Sequence, residues 1–304
     1  MRKLLTAGIR RYIHSIAFWI AVCITVVLAS ACGYGARRYY VNLYYILAEL
    51  VINAVLISWM VGREHEEGIF RNKIIAGHSK GRIFLSELII ASEVSVLLDL
   101  LFMTVFLCFN GYLLGHAPAD LCLRLFFASL VASICEAALF VTISCLIPYR
   151  AASVAVNMVL IAISLLAAFN IKKALNEPEF IEFNKETYWT VGQRDDSESG
   201  EGKLIGNADY VEEPVRSLLT ALYRISPCVN IVEGYNLTYR WFGYDMVNRI
   251  DPYHENGFTW DTMADFTVTD DENQSLNIDL LCNFLETVVI CCTGFFWFRK
   301  KEIK

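Results

Sequence analysis

The sequence predicts an all-α membrane protein with six transmembrane helices, an N-terminal interfacial helix, and a large extracytoplasmic α+β insert between spans five and six. Three observations lead to this fold class. The chain has 304 residues, of which 56% are hydrophobic and only 19% are charged, whereas soluble domains carry about 25% charged residues. The apolar residues form long runs. The charge is unevenly divided, because residues 171–280 hold 21 Asp and Glu against 9 Lys and Arg, while the remainder has a net charge of +6.

The spans are predicted from length and composition. A helix that crosses the hydrocarbon core needs about 20 mostly apolar residues. Six segments fit: Ile16–Cys32, Val41–Val61, Leu85–Phe109, Leu121–Ile147, Ala152–Phe169 and Leu280–Phe298. Before the first of them, Met1–His14 combines Leu5 and Ile9 with Arg10 and Arg11. This composition is typical of a helix that lies along the membrane surface.

Lys and Arg near the span ends predict the orientation, since they concentrate on the cytoplasmic side. With the N-terminus inside, the inner segments hold 14 Lys and Arg and the short outer loops hold 3. Both termini are therefore expected in the cytoplasm. The predicted domains are residues 1–170, with the first five spans and a cytoplasmic loop at 62–86, then an extracytoplasmic insert at 171–279, then the sixth span and a basic tail at 280–304.

Two segments of the insert have patterns of regular structure. Glu179–Val191 is rich in strand-forming side chains. Glu212–Ile225 has the pattern of an amphipathic helix that begins near Pro214. Its apolar stripe is predicted at Val215, Leu218, Leu219 and Leu222.

Acidic residues inside spans are candidate functional residues, because an intramembrane charge costs several kcal/mol unless it is paired or hydrated. They are Glu49, Glu93, Asp99, Glu136 and Glu286. No Lys or Arg lies well inside a span to pair with them. At about 100° per residue, Glu93 and Asp99 point in different directions, which counts against a single ion track along their helix. Two interpretations stay open: an acidic lining for a cationic or amphipathic cargo, or hydrogen bonding between helices.

The sequence lacks the common catalytic motifs. It contains no G-x-x-x-x-G-K-[ST], H-E-x-x-H, G-x-S-x-G or G-x-G-x-x-G pattern, and its five histidines are scattered. The chain is therefore not expected to be an enzyme or to hold a metal or cofactor of its own. Most of the ten cysteines fall in predicted spans, and a disulfide between Cys122 and Cys228 is conceivable but is not indicated by any spacing.

The loop Gly62–Ser86 follows the second span and carries charges of both signs. Its apolar residues at Ile69, Phe70, Ile74 and Ile75 have helical spacing. One hypothesis is a short helix beneath the membrane that meets a cytoplasmic partner. The alternative is a solvated loop whose charges only fix the topology.

The segment Gly62–Ile89 reads G-R-E-x-E-x-G-x-x-R-N-K-I-I-x-G-x-S-K-x-x-I-x-L-S-x-L-I, and it resembles the charged loop of the bacterial type-2 ABC transporter permeases. Six spans, an interfacial N-terminal helix and an outer insert between spans five and six also resemble that family. The resemblance implies that this loop docks a separate ATPase subunit. The matching positions for docking are Glu64, Glu66, Gly68, Arg71, Asn72, Lys73, Gly77 and Ser79. The insert, at about 110 residues, is longer than the family pattern.

The resemblance implies a permease subunit of an ATP-driven exporter for a peptide, antibiotic or other amphiphile, in a bacterial cytoplasmic membrane. ATP and Mg²⁺ would be bound by the partner ATPase, and a second permease subunit, identical or paralogous, would complete the pathway. No nucleic acid is expected as a partner. Two other functions remain: a membrane sensor whose outer insert binds a ligand, and an ion-coupled transporter that uses the intramembrane carboxylates.

Overall fold

The computed structural model describes residues 1–36, 42–109, 119–177, 179–183, 203–207, 210–225 and 270–302. The helices are α1 (Arg2–Ile13), α2 (Ile16–Ala36), α3 (Asn42–Glu66), α4 (Ile69–Ile75), α5 (Lys80–Phe109), α6 (Ala119–Leu146), α7 (Arg150–Asn176), α8 (Val215–Arg224) and α9 (Asp270–Lys300). The strands are β1 (Phe180–Phe183) and β2 (Lys203–Gly206). The described part of the chain is therefore mainly a bundle of long helices.

Helices α3, α5 and α6 form the centre of the bundle. Helix α2 packs against α3 and α5, helix α7 against α3 and α6, and helix α9 against α6 and α5. The central apolar cluster includes Leu50, Ile57, Phe84 and Phe140. Fully buried alanines such as Ala137 let the helix backbones approach closely, as they do where membrane helices associate.

The peripheral helices present apolar side chains to the outside. Within their most apolar segments, 61% of α6 is buried but only 11% of α9. Exposed large side chains on α2, α7 and α9 include Trp19, Ile20, Val159, Ile163, Phe284, Val289 and Trp297. Such a surface is what a lipid environment requires.

Four helices in the described part of the chain are long and apolar enough to cross a membrane, in the segments Lys80–Phe109, Ser129–Leu146, Arg150–Leu175 and Leu280–Lys300. Helices α1 and α2, bent by 63° at their junction, would be a fifth span if they cross together. The helical, membrane-type architecture is thus as predicted, but the described residues do not reach the predicted six spans. The predicted second span lies in α3, which is helical but outside this set and carries Glu49 and Asn53 near its middle.

Helix α1 is held against the bundle by a close approach to α5. A Cβ atom on Gly8 would lie 2.2 Å from Ile90 Cδ1, so that a larger residue there would require the end of the Ile90 side chain to move. Leu4 and Tyr12 are buried on the same face, whereas Ile9 and Ile13 are more than a third exposed. The apolar side predicted for this segment is therefore divided between the protein interior and the outer surface.

The described part of the insert is small. Strands β1 and β2 form an antiparallel pair in which Phe180 faces Gly206 and Phe183 faces Lys203. Helix α8 lies within the predicted Glu212–Ile225 segment, but it buries Tyr223 against α7, while Val215, Leu218 and Leu222 of the predicted stripe are at least half exposed. These pieces do not establish an α+β unit. The remainder of the predicted strand segment lies outside the described residues, as does Cys228, so the Cys122–Cys228 disulfide stays untested.

Candidate functional site

Two glycine turns set a short helix at one end of the bundle. Gly68, with φ +65°, stands between α3 and α4, and Gly77, with φ +87°, stands between α4 and α5. Both angles lie in the left-handed region that side chains disfavour. The loop 62–86 therefore contains the short helix predicted from its apolar spacing, and not an irregular segment.

The inner face of α4 is anchored in the bundle. Phe70 is almost completely buried and its ring lies 4.5 Å from the ring of His65 and 5.6 Å from that of Phe298, measured between centroids. These contacts join α4 to the end of α3 and to the end of α9. Burial of one large aromatic ring supplies on the order of 2 kcal/mol, which fixes the helix on the bundle.

Lys73 points inward and lies at the centre of a buried ion cluster. Its Nζ atom donates to Glu64 Oε2 at 2.6 Å and to Glu87 Oε1 at 2.5 Å. Arg11 from α1 donates to the second oxygen of Glu64. Two cations, on α1 and α4, are therefore paired with two carboxyl groups, on α3 and α5. We call Arg11, Glu64, Lys73 and Glu87 the ion cluster.

Three of the four side chains of the ion cluster are almost fully buried, whereas that of Arg11 is 32% exposed. The side chains of Glu64, Lys73 and Glu87 are 7%, 9% and 1% exposed. Burial, together with the negative charge of Glu87, raises the pKa of Glu64 to about 8, although Lys73 and Arg11 act in the opposite direction. Lys73 and Arg11 therefore offset part of the cost of burying the Glu64 carboxylate.

Glu66 joins α3 to the start of α7. The backbone N–H of Arg150 donates to Glu66 Oε1 at 2.9 Å, and the Arg150 Nε atom donates to Oε2 at 2.8 Å. These hydrogen bonds and the Arg150 charge lower the pKa of Glu66. The same guanidinium group lies 4.6 Å from the centre of the Trp59 ring. Both carboxylate oxygens of Glu66 therefore already accept hydrogen bonds from Arg150.

The outer face of α4 consists of Arg71, Asn72 and Ile75, which we call the α4 face. All three side chains are exposed, and Ile75 is 73% exposed although it is apolar. Ser79 is also exposed, and its hydroxyl accepts a hydrogen bond from the Arg82 N–H at 3.4 Å at the start of α5. Of the eight predicted docking residues, only Arg71, Asn72 and Ser79 are exposed side chains without an ion pair among the described residues. Ile75 was not predicted at this site, since its spacing indicated a buried position.

Three of the five predicted intramembrane acids converge in the middle of the bundle. Glu49 on α3, Asp99 on α5 and Glu136 on α6 are all buried, and their carboxyl groups lie close enough to influence one another electrostatically. We call these three residues the acid cluster.

Hydroxyl groups complete the surroundings of Asp99. Ser129 and Ser133 on α6 donate to Asp99 Oδ2 at 2.6 Å and 3.3 Å. In the part of the chain that the structure describes, no Lys or Arg side chain forms an ion pair with an acid-cluster residue. Asp99 in the acid cluster is therefore satisfied by hydroxyl donors, whereas the carboxyl groups of the ion cluster are paired with cations.

The two other intramembrane acids lie elsewhere. Glu93 is exposed on the outer side of α5, as expected from its angular separation from Asp99. Glu286 on α9 is partly buried and lies near Cys135 on α6. Neither joins the acid cluster.

A neutral polar network also links three helices. Asn157 on α7 donates to Ser58 on α3 at 2.6 Å and to Ser144 on α6 at 3.2 Å. Ser153 donates to the same Ser144 hydroxyl at 2.7 Å. Sequence analysis did not identify these residues individually, although polar side chains inside spans are the expected signal.

The described residues contain no group of three His, Cys, Asp or Glu side chains arranged to hold a metal ion. Comparison with known proteins gives no further assignment: the chain matches no protein family, no curated protein and no solved structure. The function must therefore be argued from the geometry of α4 and the two charged clusters.

Proposed function

We propose that the chain is the membrane permease subunit of an ATP-driven transporter of the type-2 ABC kind, and that it exports a peptide, antibiotic or other amphiphile. In this proposal α3 is the second of six spans, both termini lie in the cytoplasm of a bacterium, and residues 171–279 form an extracytoplasmic α+β insert. A separate ATPase binds ATP and Mg²⁺. A second permease subunit, identical or paralogous, completes the pathway.

The position of α4 carries the proposal. A docking element that transmits movement must be exposed on one side and fixed to the spans on the other. Phe70 and Lys73 attach the inner side of α4 to the bundle. Arg71, Asn72 and Ile75 project outward. A force applied to the α4 face would therefore reach α1, α3 and α5 through the ion cluster.

The geometry leaves fewer residues available for docking than the resemblance implies. Glu64 and Lys73 are buried in the ion cluster, Glu66 is paired with Arg150, and Gly68 and Gly77 form the turns. In our proposal these five residues position α4. Direct contact with the ATPase then involves the α4 face and Ser79.

Affinity purification tests this proposal. The tagged chain is extracted from its native membrane in mild detergent, and its partners are identified by mass. We expect a stoichiometric ATPase with a P-loop. The variant Ile75→Glu/Arg71→Glu should lose most of that partner, while Lys3→Glu, which reverses an exposed cation on α1, should retain it. An ATPase bound at full ratio to the α4-face variant would contradict docking at α4, and reproducible absence of any ATPase from the wild type would contradict the transporter class.

The acid cluster favours a second candidate, an ion-coupled transporter. Buried carboxyl groups on several neighbouring spans are a common arrangement in proton-coupled carriers. The purified chain alone, in vesicles that contain a pH-sensitive dye, should then carry protons down an imposed gradient, and Asp99→Asn should abolish the flux. Absence of proton flux from the chain without an ATPase would favour the ATP-driven function.

A further inference from the structure

A basic pocket lies beside α4, at the end of the bundle where α5 begins and α9 ends. It has a volume of about 390 Å³ and its lining includes Lys80, Arg82 and Arg299 as well as Leu85 and Phe295. Three cationic side chains thus surround one opening together with two apolar ones. This pairing of charge and apolar surface fits an amphiphile with an anionic head.

The cations are available for an anionic ligand. None of Lys80, Arg82 and Arg299 forms an ion pair with an acid in the described part of the chain. Lys80 donates to the carbonyl oxygen of Lys301 at 2.5 Å, which brings the end of α9 against the start of α5. Arg82 and Arg299 are exposed. Their charges are left unbalanced, in contrast to those of the ion cluster.

The apolar side of the pocket continues along the outer surface of the spans. Leu85 is 44% exposed, and Phe295 lies 5.9 Å from the Arg299 guanidinium group, measured to the ring centre. Phe296 and Trp297 of the same turn of α9 are more than half exposed. Both helices are long and apolar enough to cross a membrane, and an exposed Trp at the end of such a helix is typical of the headgroup level.

We propose that this pocket binds an anionic phospholipid from the leaflet that meets this end of the bundle. The phosphate of the headgroup would contact Arg82 and Arg299, and an acyl chain would lie along Leu85 and Phe295. Basic pockets between transmembrane helices are known to hold anionic headgroups. A soluble protein partner is less suited, because the pocket opens beside apolar side chains that face lipid. The proposal stands whether or not α4 docks an ATPase.

Native mass spectrometry of the purified chain tests the assignment. The chain is reconstituted with phosphatidylglycerol or with phosphatidylcholine of the same acyl chains, and the retained lipid is counted. We expect one retained phosphatidylglycerol per chain. The variant Arg82→Gln/Arg299→Gln should weaken this retention about 30-fold, the effect expected from two cations near an anionic headgroup.

Matched variants separate the pocket from general surface charge. Lys3→Gln/Arg10→Gln removes two exposed cations of α1 and should keep the preference for phosphatidylglycerol. Arg82→Lys/Arg299→Lys should restore most of the retention that the glutamine variant loses. An equal loss in the α1 variant, or an unchanged preference in the pocket variant, would overturn the proposal.

Inorganic phosphate distinguishes a lipid site from a site for the free ion. We expect millimolar phosphate to leave the lipid in place, since phosphate lacks contacts to Leu85 and Phe295. Displacement of the lipid by phosphate alone would assign the pocket to the free anion. Loss of an ATPase partner from the Arg82→Gln/Arg299→Gln variant, with unchanged lipid retention, would assign it to protein docking instead. Either result would overturn the lipid assignment.

Discussion

The ion cluster and the acid cluster satisfy buried carboxyl groups in different ways. In the ion cluster, Lys73 lies between two carboxylates from different segments. In the acid cluster, Asp99 accepts from two serine hydroxyls, and among the described residues no Lys or Arg forms an ion pair with its members. The first arrangement depends on Lys73, whose loss would leave two buried carboxyl groups without their shared cation. The second has no charged partner to lose.

This difference bears on function. A balanced ion cluster that joins four segments is suited to a fixed connection between α4 and the spans, since breaking one pair leaves a bare charge inside the protein. A buried acidic site without a cation is suited to a change of state, since protonation can alter its charge. The ion cluster lies at the end of the bundle near α4, and the acid cluster lies between α3, α5 and α6.

Removal of Lys73 should have the largest effect on stability. Lys73→Met leaves Glu64 and Glu87 buried without their shared cation, and we expect the free energy of unfolding to fall by about 3–5 kcal/mol. Thermal or denaturant unfolding in detergent measures it. Arg71→Met, two residues away on the exposed face, should change stability by less than about 0.5 kcal/mol. Equal losses in the two variants would contradict the central role of Lys73.

Loss of the hydrogen bonds made by Asn157 in the neutral polar network should have an intermediate effect on stability. Asn157→Ala removes the donor to Ser58 and Ser144. Hydrogen bonds between membrane helices contribute on average about 0.6 kcal/mol and at most about 1.7 kcal/mol each, so a loss of about 1–2 kcal/mol is expected. A double-mutant cycle with Ser58→Ala isolates the contribution of their shared bond. A coupling energy near zero would mean that Asn157 acts through packing alone.

The acid cluster should tolerate neutralisation better than the ion cluster does. In Asp99→Asn the amide oxygen can still accept from Ser129 and Ser133, so the free energy of unfolding should change by less than about 1 kcal/mol. Glu136→Gln should behave in the same way. Unfolding measured beside Lys73→Met provides the comparison. A loss as large as that of Lys73→Met would show that the acid cluster is also a structural charge network.

The smallest effect is expected in the pH dependence of stability that His65 contributes. Burial and the nearby charge of Lys301 lower the pKa of His65 from 6.5 to about 4. The free energy of unfolding should therefore fall as the pH decreases from 6.5 to about 4, because the unfolded chain takes up the proton first. Relative to its own value at pH 7.5, the stability of His65→Gln should fall less on acidification than that of the wild type. Parallel pH profiles for the two proteins would contradict this assignment.

Much of the helical fold follows from local sequence. Long apolar runs place α5, α6, α7 and α9 close to their predicted positions, and the apolar spacing of the loop predicts α4. The helical angle between Glu93 and Asp99 predicts that they point in different directions, and the structure places Glu93 outside and Asp99 inside. These features depend on residues close to one another in the chain.

The arrangement of the site depends on residues that are distant in sequence. Lys73 is buried and Ile75 exposed, the reverse of what hydropathy predicts, because Glu64 and Glu87 meet Lys73 from other helices. The convergence of Glu49, Asp99 and Glu136 cannot be predicted from local sequence for the same reason, since the three residues lie on different helices. The stripe predicted on α8 faces outward because Tyr223 supplies the contact with α7. Helical periodicity does not predict contacts of this kind, because they join residues that are distant in sequence.

The distribution of the ion cluster along the chain has a consequence for synthesis. Arg11, Glu64, Lys73 and Glu87 all lie within the first 87 residues, so the ribosome completes this set before α6 emerges. The acid cluster, by contrast, requires Glu136 and closes only after α6 has been made. The nascent chain can therefore pair the charges of the ion cluster early. The acid cluster is completed later, when α6 packs against helices that have already been made.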